Sequence, residues 1–194
     1  MKKINKLKIL FICLSGTIIF ASCAVQSERK SAKYYEKNAV AIEALKRDFD
    51  QQYKIQPFSF GFTDRSYKHY VMEVTTDTLR YVYNSEVSRS KMYETITKFN
   101  YDTVVLRRMS ETMKEIRCLW LTKPSFFLEG VRESVTTLSF RSVQVEKPFV
   151  ENKYYILIFA DKEFQNEEVK AKIKKGDIAK IKDGVYFMIG NSFR

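Results

Sequence analysis

Histidine, cysteine, glycine and proline are all scarce in this chain of 194 residues. It has one histidine, His69, three cysteines, three prolines and six singly scattered glycines. The sequence lacks G-x-S-x-G, H-E-x-x-H, a Walker phosphate loop and G-x-G-x-x-G. Any nucleophile activated by histidine would have to use His69. These absences argue against most familiar hydrolase and nucleotide-binding chemistries.

Acidic residues are missing from the N-terminus, where the first one is Glu28. Four lysines precede an apolar run over residues 9–25. A bilayer-spanning helix needs about 20 apolar residues, and this run is shorter and is interrupted by a serine and a glycine. A basic head followed by a short apolar run is the pattern of an export signal.

The end of the apolar run reads Phe20-Ala21-Ser22-Cys23. This stretch resembles the lipobox of bacterial lipoproteins, although that family usually has leucine where this chain has Phe20. The resemblance implies that residues 1–22 are a signal peptide, that cleavage falls before Cys23, and that Cys23 becomes acylated. An uncleaved anchor and a simple secretory signal are the alternatives. All three place the rest of the chain outside the cytoplasm.

Removal of residues 1–22 would leave 172 residues, which are enough for one good core. The net charge would fall from +11 to +7, because four lysines leave. Cys13 would also leave and Cys23 would carry lipid, so Cys118 alone would remain. We therefore expect no intrachain disulfide, no zinc site of histidine and cysteine ligands, and no cofactor. Residues 23–30 are interpreted as a tether, and residues 31–194 as a single α+β domain.

The first part of the domain predicts a helix followed by strands. Residues 31–53 form an amphipathic pattern, and Pro57 ends it. Its apolar stripe comprises Tyr35, Ala39, Ile42, Leu45, Phe49 and Tyr53. We expect the stripe to pack on the domain's own sheet, and a coiled-coil or docking surface is the alternative.

Residues 58–62 alternate as a strand does, with Phe58, Phe60 and Phe62 on one face. These rings indicate a core face, with a ligand platform as the alternative. Residues 68–83 predict a β-hairpin that turns at Thr76-Asp77. His69 lies in the first strand of this hairpin, where a structural role is favoured over a catalytic one.

The middle of the chain predicts two helices, over residues 87–99 and 103–121. Asp102 is a candidate N-cap of the second helix. Its apolar stripe comprises Val105, Met109, Met113, Ile116 and Trp120. Residues 103–106 also fit a strand, so the start of this helix stays open. Cys118 is expected to be a small buried hydrophobe.

The last part of the chain predicts strands over residues 135–145 and 153–160, the second of them central because it is apolar on both faces. A helix is expected after Asn166, ending at Gly176, with an exposed strand as the alternative. Residues 177–189 predict a hairpin around Asp183-Gly184.

Together the elements predict an α+β fold. It has an N-terminal amphipathic helix, a mainly antiparallel sheet, a central helix pair and a C-terminal β-hairpin. One domain is expected, with a split near residues 122–134 as the alternative.

Lysines are concentrated near the C-terminus. This lysine cluster comprises Lys170, Lys172, Lys174, Lys175, Lys180 and Lys182. A solvated face is the simpler interpretation. The alternative is a patch for an anionic lipid, an anionic glycan or an acidic protein face, and nucleic acid is not an expected partner outside the cytoplasm.

Enzyme chemistry would have to rest on two carboxylates, as in glycoside cleavage. Asp64, Glu73, Asp77 and Asp161 are the candidates, and nothing in the sequence singles out a pair. We therefore expect no catalytic residues.

The sequence favours a non-enzymatic lipoprotein, anchored to the membrane through Cys23. It would bind a protein partner and help assemble or tether an envelope complex, such as a secretion system. Because Ala24 follows Cys23 in place of aspartate, the outer membrane is expected, with either of its faces open. The alternatives are a module that binds an anionic glycan or lipid and a small cell-wall or glycan hydrolase.

Overall fold

A computed structural model gives the fold of the chain. It describes residues 4–62, 66–128, 131–143, 153–160, 164 and 167–190, with residues 4–25, 125–128, 131–133 and 141–143 described by backbone alone. The chain divides into two compact units, Met1–Lys37 and Asn38–Arg194. Within the part described, no helix contains an apolar stretch long enough to cross a bilayer.

The first helix, α1 (Ile4–Ile55), is longer than the predicted helix over residues 31–53. It continues through residues 23–30, which contain neither glycine nor proline and are rich in good helix formers. These eight residues span about 12 Å as a helix, compared with about 28 Å when extended. Within the second unit, α1 buries Ile42, Leu45 and Phe49, so the amphipathic stripe is confirmed there.

Three antiparallel strands follow: β1 (Phe58–Phe62), β2 (Tyr70–Thr75) and β3 (Arg80–Asn84). The hairpin predicted over residues 68–83 is confirmed. At its turn, the Thr76 hydroxyl donates to the Leu79 carbonyl and accepts from the Leu79 amide, both at 3.0 Å. Phe58, Phe60 and Phe62 are buried, which confirms their interpretation as core.

Two helices follow, α2 (Arg89–Lys98) and α3 (Thr103–Glu115). The predicted cap of α3 is confirmed, because Oδ1 of Asp102 accepts from the amides of Val104 at 2.8 Å and Val105 at 3.1 Å. These bonds satisfy amides that have no partner inside the helix. The alternative of a strand at residues 103–106 is therefore wrong.

The predicted end of α3 at residue 121 is wrong. The helix ends at Glu115, and Arg117 has a left-handed backbone with φ of 56° that turns the chain away from the helix axis. Trp120 belongs instead to strand β4 (Trp120–Thr122), where it lies opposite Gly61 of β1. Ile116 and Trp120 continue the helical spacing, but they enter the core from different elements.

The C-terminal half contains six more described strands and one more helix. They are β5 (Ser125–Leu128), β6 (Val131–Ser134), β7 (Thr136–Val143), β8 (Lys153–Phe159), α4 (Glu167–Lys175), β9 (Ile178–Lys182) and β10 (Val185–Gly190). The predicted helix before Gly176 is confirmed. The hairpin at Asp183-Gly184 is also confirmed, and Gly184 supplies the positive φ of 73° that its turn requires.

Eight strands form one antiparallel sheet in the order β3-β2-β1-β4-β7-β8-β10-β9, and β5 pairs with β6 separately. β8 lies inside the sheet between β7 and β10, and Leu157, Ile158 and Phe159 are buried. The predicted central strand and the α+β class are therefore confirmed.

Helices pack against both faces of the sheet. On one face, the rings of Phe49 in α1 and Phe58 in β1 lie 5.0 Å apart between centroids. On the other face, α4 packs Val169 and Ile173 against a cluster that includes Ile158 and Tyr186. α1 therefore lies on one face of the sheet and α4 on the other, while β3 and β9 are its two edge strands.

Candidate functional sites

The β3 edge is one end of the sheet. β3 pairs with β2 on one side, and no described strand pairs with its other side. Leu79, just before the strand, and Val82 are each 56% exposed, and Tyr81 is also exposed. The rings of Tyr81 and Tyr83 stack with centroids 6.3 Å apart. The edge therefore presents backbone polar groups together with apolar and aromatic side chains, which sequence patterning did not reveal.

Glu73 lies in β2, the strand that pairs with β3, and its side chain is buried. Its carboxylate forms an ion pair with Arg80 of β3, across the hairpin. In the strand register, Glu73 stands opposite Val82. The ion pair therefore gives Glu73 a structural role in joining the two strands.

The other carboxylates considered for catalysis do not form a described pair. Asp77 lies in the hairpin turn, while Asp64 and Asp161 lie outside the described residues. Among the residues the structure describes, no group of three or more histidine, cysteine, aspartate or glutamate side chains could hold a metal ion.

The β9 edge is the opposite end of the sheet and carries part of the lysine cluster. Lys180 and Lys182 lie on β9, and the other four lysines lie on α4. All six side chains are exposed, as the sequence predicted.

Most of the lysine cluster is neutralised locally. Four of its ammonium groups lie within 4 Å of a carboxylate: Lys170–Glu167, Lys172–Glu168, Lys175–Asp177 and Lys180–Asp183. Six lysines and these four carboxylates leave a net charge of +2 over residues 167–183. The pairing also lowers the pKa of Glu168, because Lys172 donates a hydrogen bond to it, and the pKa of Asp183 falls beside Lys180 for the same reason. The positive electrostatic potential that an anionic partner would meet is therefore weaker than six unpaired lysines would produce.

A cavity of about 430 Å³ lies between α2, α3 and the sheet. We call it the α2–α3 cavity. Its floor and walls are the buried side chains of Phe60, Met72, Met92, Ile96 and Leu106. Its rim carries Tyr70, Tyr93, Arg107, Ser110, Glu111 and Lys114, together with Thr103.

Two tyrosines at the rim of this cavity interact with each other. Burial raises the pKa of Tyr70, and the charge of Tyr93 and a hydrogen bond with it raise that pKa further, while Arg89 opposes the shift. Tyr93 is 52% exposed. The Tyr70 phenol is therefore neutral at physiological pH and can donate a hydrogen bond.

A second and larger depression, of about 900 Å³, is an open polar groove at one end of β1, β4 and β7. Within it, the hydroxyls of Ser59 and Thr122 are 2.6 Å apart. Lys123 donates to Asp50 of α1 at 2.8 Å and lies over the ring of Tyr53. The contacts of Lys123 join α1 to the end of β4, so this lysine already has structural partners.

His69 lies one residue before β2 and not within a strand, which corrects its predicted position. Its Nδ1 is 3.7 Å from a carboxylate oxygen of Glu86, and both side chains are more than a third exposed. Neither residue lines the α2–α3 cavity or the polar groove.

The cysteines fall into two settings. Cys118 is buried, with its Sγ 3.6 Å from the Trp120 carbonyl oxygen, and burial strongly raises the pKa of its thiol. It is therefore an unreactive core residue, as predicted. Cys23 lies in the part of α1 that is described by backbone alone.

Comparison with known proteins adds no relative. No protein-family profile, no curated protein and no solved structure gives a significant match to this chain.

Proposed function

We propose that this protein is a bacterial lipoprotein that is held at a membrane by Cys23 and binds a protein partner through the β3 edge. Phe20-Ala21-Ser22-Cys23 supports the anchor, and Ala24 after the cysteine supports the outer membrane as its site. Bound there, the domain helps to assemble or tether an envelope complex, of which a secretion system is one example. The protein itself carries out no chemistry in this proposal.

The unpaired side of β3 is the observation that carries the proposal. An edge strand leaves a row of backbone N–H and C=O groups without strand partners, and soluble proteins usually protect such edges with lysine, proline or a covering element. β3 instead exposes Tyr81 and Val82. An extended segment of another protein can add to such an edge, gaining backbone hydrogen bonds and side-chain contacts together.

The side chains of β3 define the chemistry of the partner. Successive residues of a strand point to opposite faces, so Tyr81 and Val82 offer apolar contacts on both faces of an added strand. The Tyr81–Tyr83 stack also presents aromatic surface, which is enriched at protein interfaces. The expected partner segment is therefore extended and carries apolar side chains on both of its faces.

The second candidate function is binding of an anionic lipid or glycan by the lysine cluster, supported by the exposure of all six lysines. Such binding weakens steeply as ionic strength rises, whereas apolar strand addition does not. A variant with four of the six lysines changed to glutamine distinguishes the two. Unchanged binding to anionic vesicles or glycan in that variant excludes the lysine cluster as the site.

A photo-crosslinking residue tests the proposed function in the full-length chain expressed in its own cells. The reactive residue replaces Val82 in β3, and a matched control replaces Ile181 in β9. We expect a reproducible product from position 82 and not from position 181, and mass spectrometry identifies the crosslinked protein. The purified partner should then bind the Val82→Lys variant about tenfold more weakly, because strand addition would have to remove water from the new ammonium group.

Two outcomes contradict this proposal. The first is an identical product from positions 82 and 181, which would indicate nonspecific proximity. The second is equal affinity of the purified partner for the wild type and for Val82→Lys. Thermal unfolding of the variant separates a local effect from loss of the fold.

A further inference from the structure

The α2–α3 cavity is an open depression of about 430 Å³ between two helices and the sheet. Pockets for small ligands range over about 300–1,000 Å³ and are lined mainly by apolar and aromatic side chains. The cavity falls within this size range, and the apolar side chains of Phe60, Met72 and Met92 lie against its inner side.

The inner surface of the cavity suits an apolar body of variable shape. Methionine is unbranched and has three rotatable bonds, so its side chain adapts to whatever lies against it. Met72 enters from the sheet and Met92 from α2, while Leu106 of α3 lines the same space. Three elements thus converge on one apolar chamber.

The rim of the cavity carries an excess of positive charge. Arg107 and Lys114 lie two turns apart on α3, with Glu111 between them. Arg107 forms no ion pair with any described residue, in contrast to its neighbour Arg108, which contacts Asp48 at 2.7 Å. Its guanidinium group can therefore bind a carboxylate through two parallel hydrogen bonds.

The two tyrosines add polar groups near this rim. Tyr70 and Tyr93 share a hydrogen bond, and burial raises the pKa of Tyr70 still further above neutral pH. Neutral phenols donate hydrogen bonds to anions without placing a like charge beside them. The polar groups thus converge on the open side of the chamber, while its inner surface stays apolar.

We propose that the α2–α3 cavity binds a small molecule that is largely apolar and ends in a single anionic group. The apolar body fills the chamber beside Met72 and Met92, and the anion meets Arg107 at the rim. This site is separate from the β3 edge, since no residue of β3 lines the cavity. It therefore does not depend on the proposed protein partner.

Methionine methyl groups report on this site individually. The full-length chain, labelled with ¹³C at its methionine methyls and held in phosphatidylcholine nanodiscs, is titrated with octanoate, octanol and octylammonium. We expect octanoate to shift the Met72 and Met92 signals with the tightest binding and octylammonium the weakest. Met109 and Met113 lie in the core outside the cavity lining, and Met188 lines the polar groove, so their signals serve as internal controls.

Substitutions at the rim separate charge recognition from partitioning. Arg107→Gln should weaken octanoate binding about fivefold, equal to about 1 kcal/mol, and leave octanol binding unchanged. Lys91→Gln on α2 is the matched control, because Lys91 is exposed, has no partner among the described residues and does not line the cavity. Ser110→Phe occupies part of the cavity and should weaken the Met72 and Met92 shifts.

Three results overturn this proposal: no shift at Met72 and Met92, equal shifts at all five described methionines, or equal octanoate affinity of Arg107→Gln and Lys91→Gln. Should Ser110→Phe fail to fold, the comparison of the two charge variants still decides. Loss of the β3 partner interaction with these shifts retained would contradict the proposed function alone.

Discussion

The two edges of the sheet expose different kinds of side chain. The β9 edge carries Lys180 and Lys182, whereas the β3 edge exposes Tyr81, Val82 and the preceding Leu79. Lysine on an edge strand opposes pairing with another chain, because docking would have to desolvate its charge. β3 has no lysine among its five residues, and its one arginine is paired with Glu73 across the hairpin.

This difference indicates which edge of the sheet can pair with a strand of another protein. Both strands have a side that pairs with no described strand, so the backbone alone does not distinguish them. The side chains distinguish them, because adding a strand to β9 would remove water from the ammonium groups of Lys180 and Lys182, whereas β3 has no lysine. We therefore expect Lys180 and Lys182 to keep the β9 edge from pairing even without an anionic ligand.

The largest expected effect comes from removing Cys23, the proposed lipid anchor that would hold the domain, and with it both sheet edges, at the membrane. Cys23→Ala should abolish fatty-acid incorporation and leave the precursor uncleaved, because the acylated sulfur would be missing. Metabolic labelling with a tritiated fatty acid, followed by immunoprecipitation, measures this. Cys13→Ala is the matched control and should be lipidated normally. Normal lipidation of Cys23→Ala would refute the anchor.

The half of the sheet that carries β3 should be sensitive to one added methyl group. A Cβ at Gly61 would contact the Leu119 carbonyl oxygen and lie 2.5 Å from Trp120 Cε3, so Gly61→Ala should lower the free energy of unfolding by about 2 kcal/mol. Gly176→Ala, beside β9, is the control. Nothing lies near a Cβ there, and only its positive φ opposes alanine, at about 1 kcal/mol. Urea unfolding compares the two variants, and a smaller loss at Gly61 would contradict the packing described.

Apolar substitutions on β9 should allow that edge of the sheet to pair with another chain. Lys180→Val combined with Lys182→Val would give β9 an apolar edge, and we expect concentration-dependent self-association that the wild type shows less of. Sedimentation velocity on the full-length chain in nanodiscs measures it. Lys170→Val combined with Lys174→Val, on α4, changes the same charge away from the edge. Equal association of both double variants would show that net charge, and not edge protection, is responsible.

The smallest expected effect concerns the ion pairs of the lysine cluster. The pKa of Glu168 is lowered by its hydrogen bond from Lys172, so Lys172→Gln should raise that pKa toward its ordinary value. A carboxylate with a lowered pKa stabilises the fold above its unfolded pKa, and this contribution disappears as pH falls below about 4. Lys174→Gln is the control, since Lys174 has no ion-pair partner in the described part. An NMR titration of the side-chain carboxyl measures the shift, and an unchanged pKa in Lys172→Gln would refute the pair.

Local sequence signals predicted most of the elements. Asp102 marked the start of α3 because aspartate accepts from free amides, and Asp183-Gly184 marked a turn because glycine adopts positive φ. The end of α3 was not predictable in this way. A left-handed Arg117 carries no sequence signature such as glycine, and Trp120 continues the helical spacing although it belongs to β4.

The candidate sites depended far more on tertiary structure. The lysine cluster was visible in the sequence, but its four carboxylate partners reduce the charge that it offers. The α2–α3 cavity draws Met72, Met92 and Leu106 from three separate elements, so no local pattern could indicate it. The β3 edge depends on strand order, which pairing between distant segments determines.

The sequence by itself determined the α+β class and the positions of caps and turns, because these depend on residues close together in the chain. The export-type N-terminus that it predicts stays a prediction. Only the tertiary structure decided that Trp120 packs over Gly61, that β3 and β9 are the two edges, and that a cavity lies beside α2 and α3. The reason is physical: strand order and cavities arise from contacts between residues far apart in sequence, where several pairings satisfy the same local pattern and packing selects one.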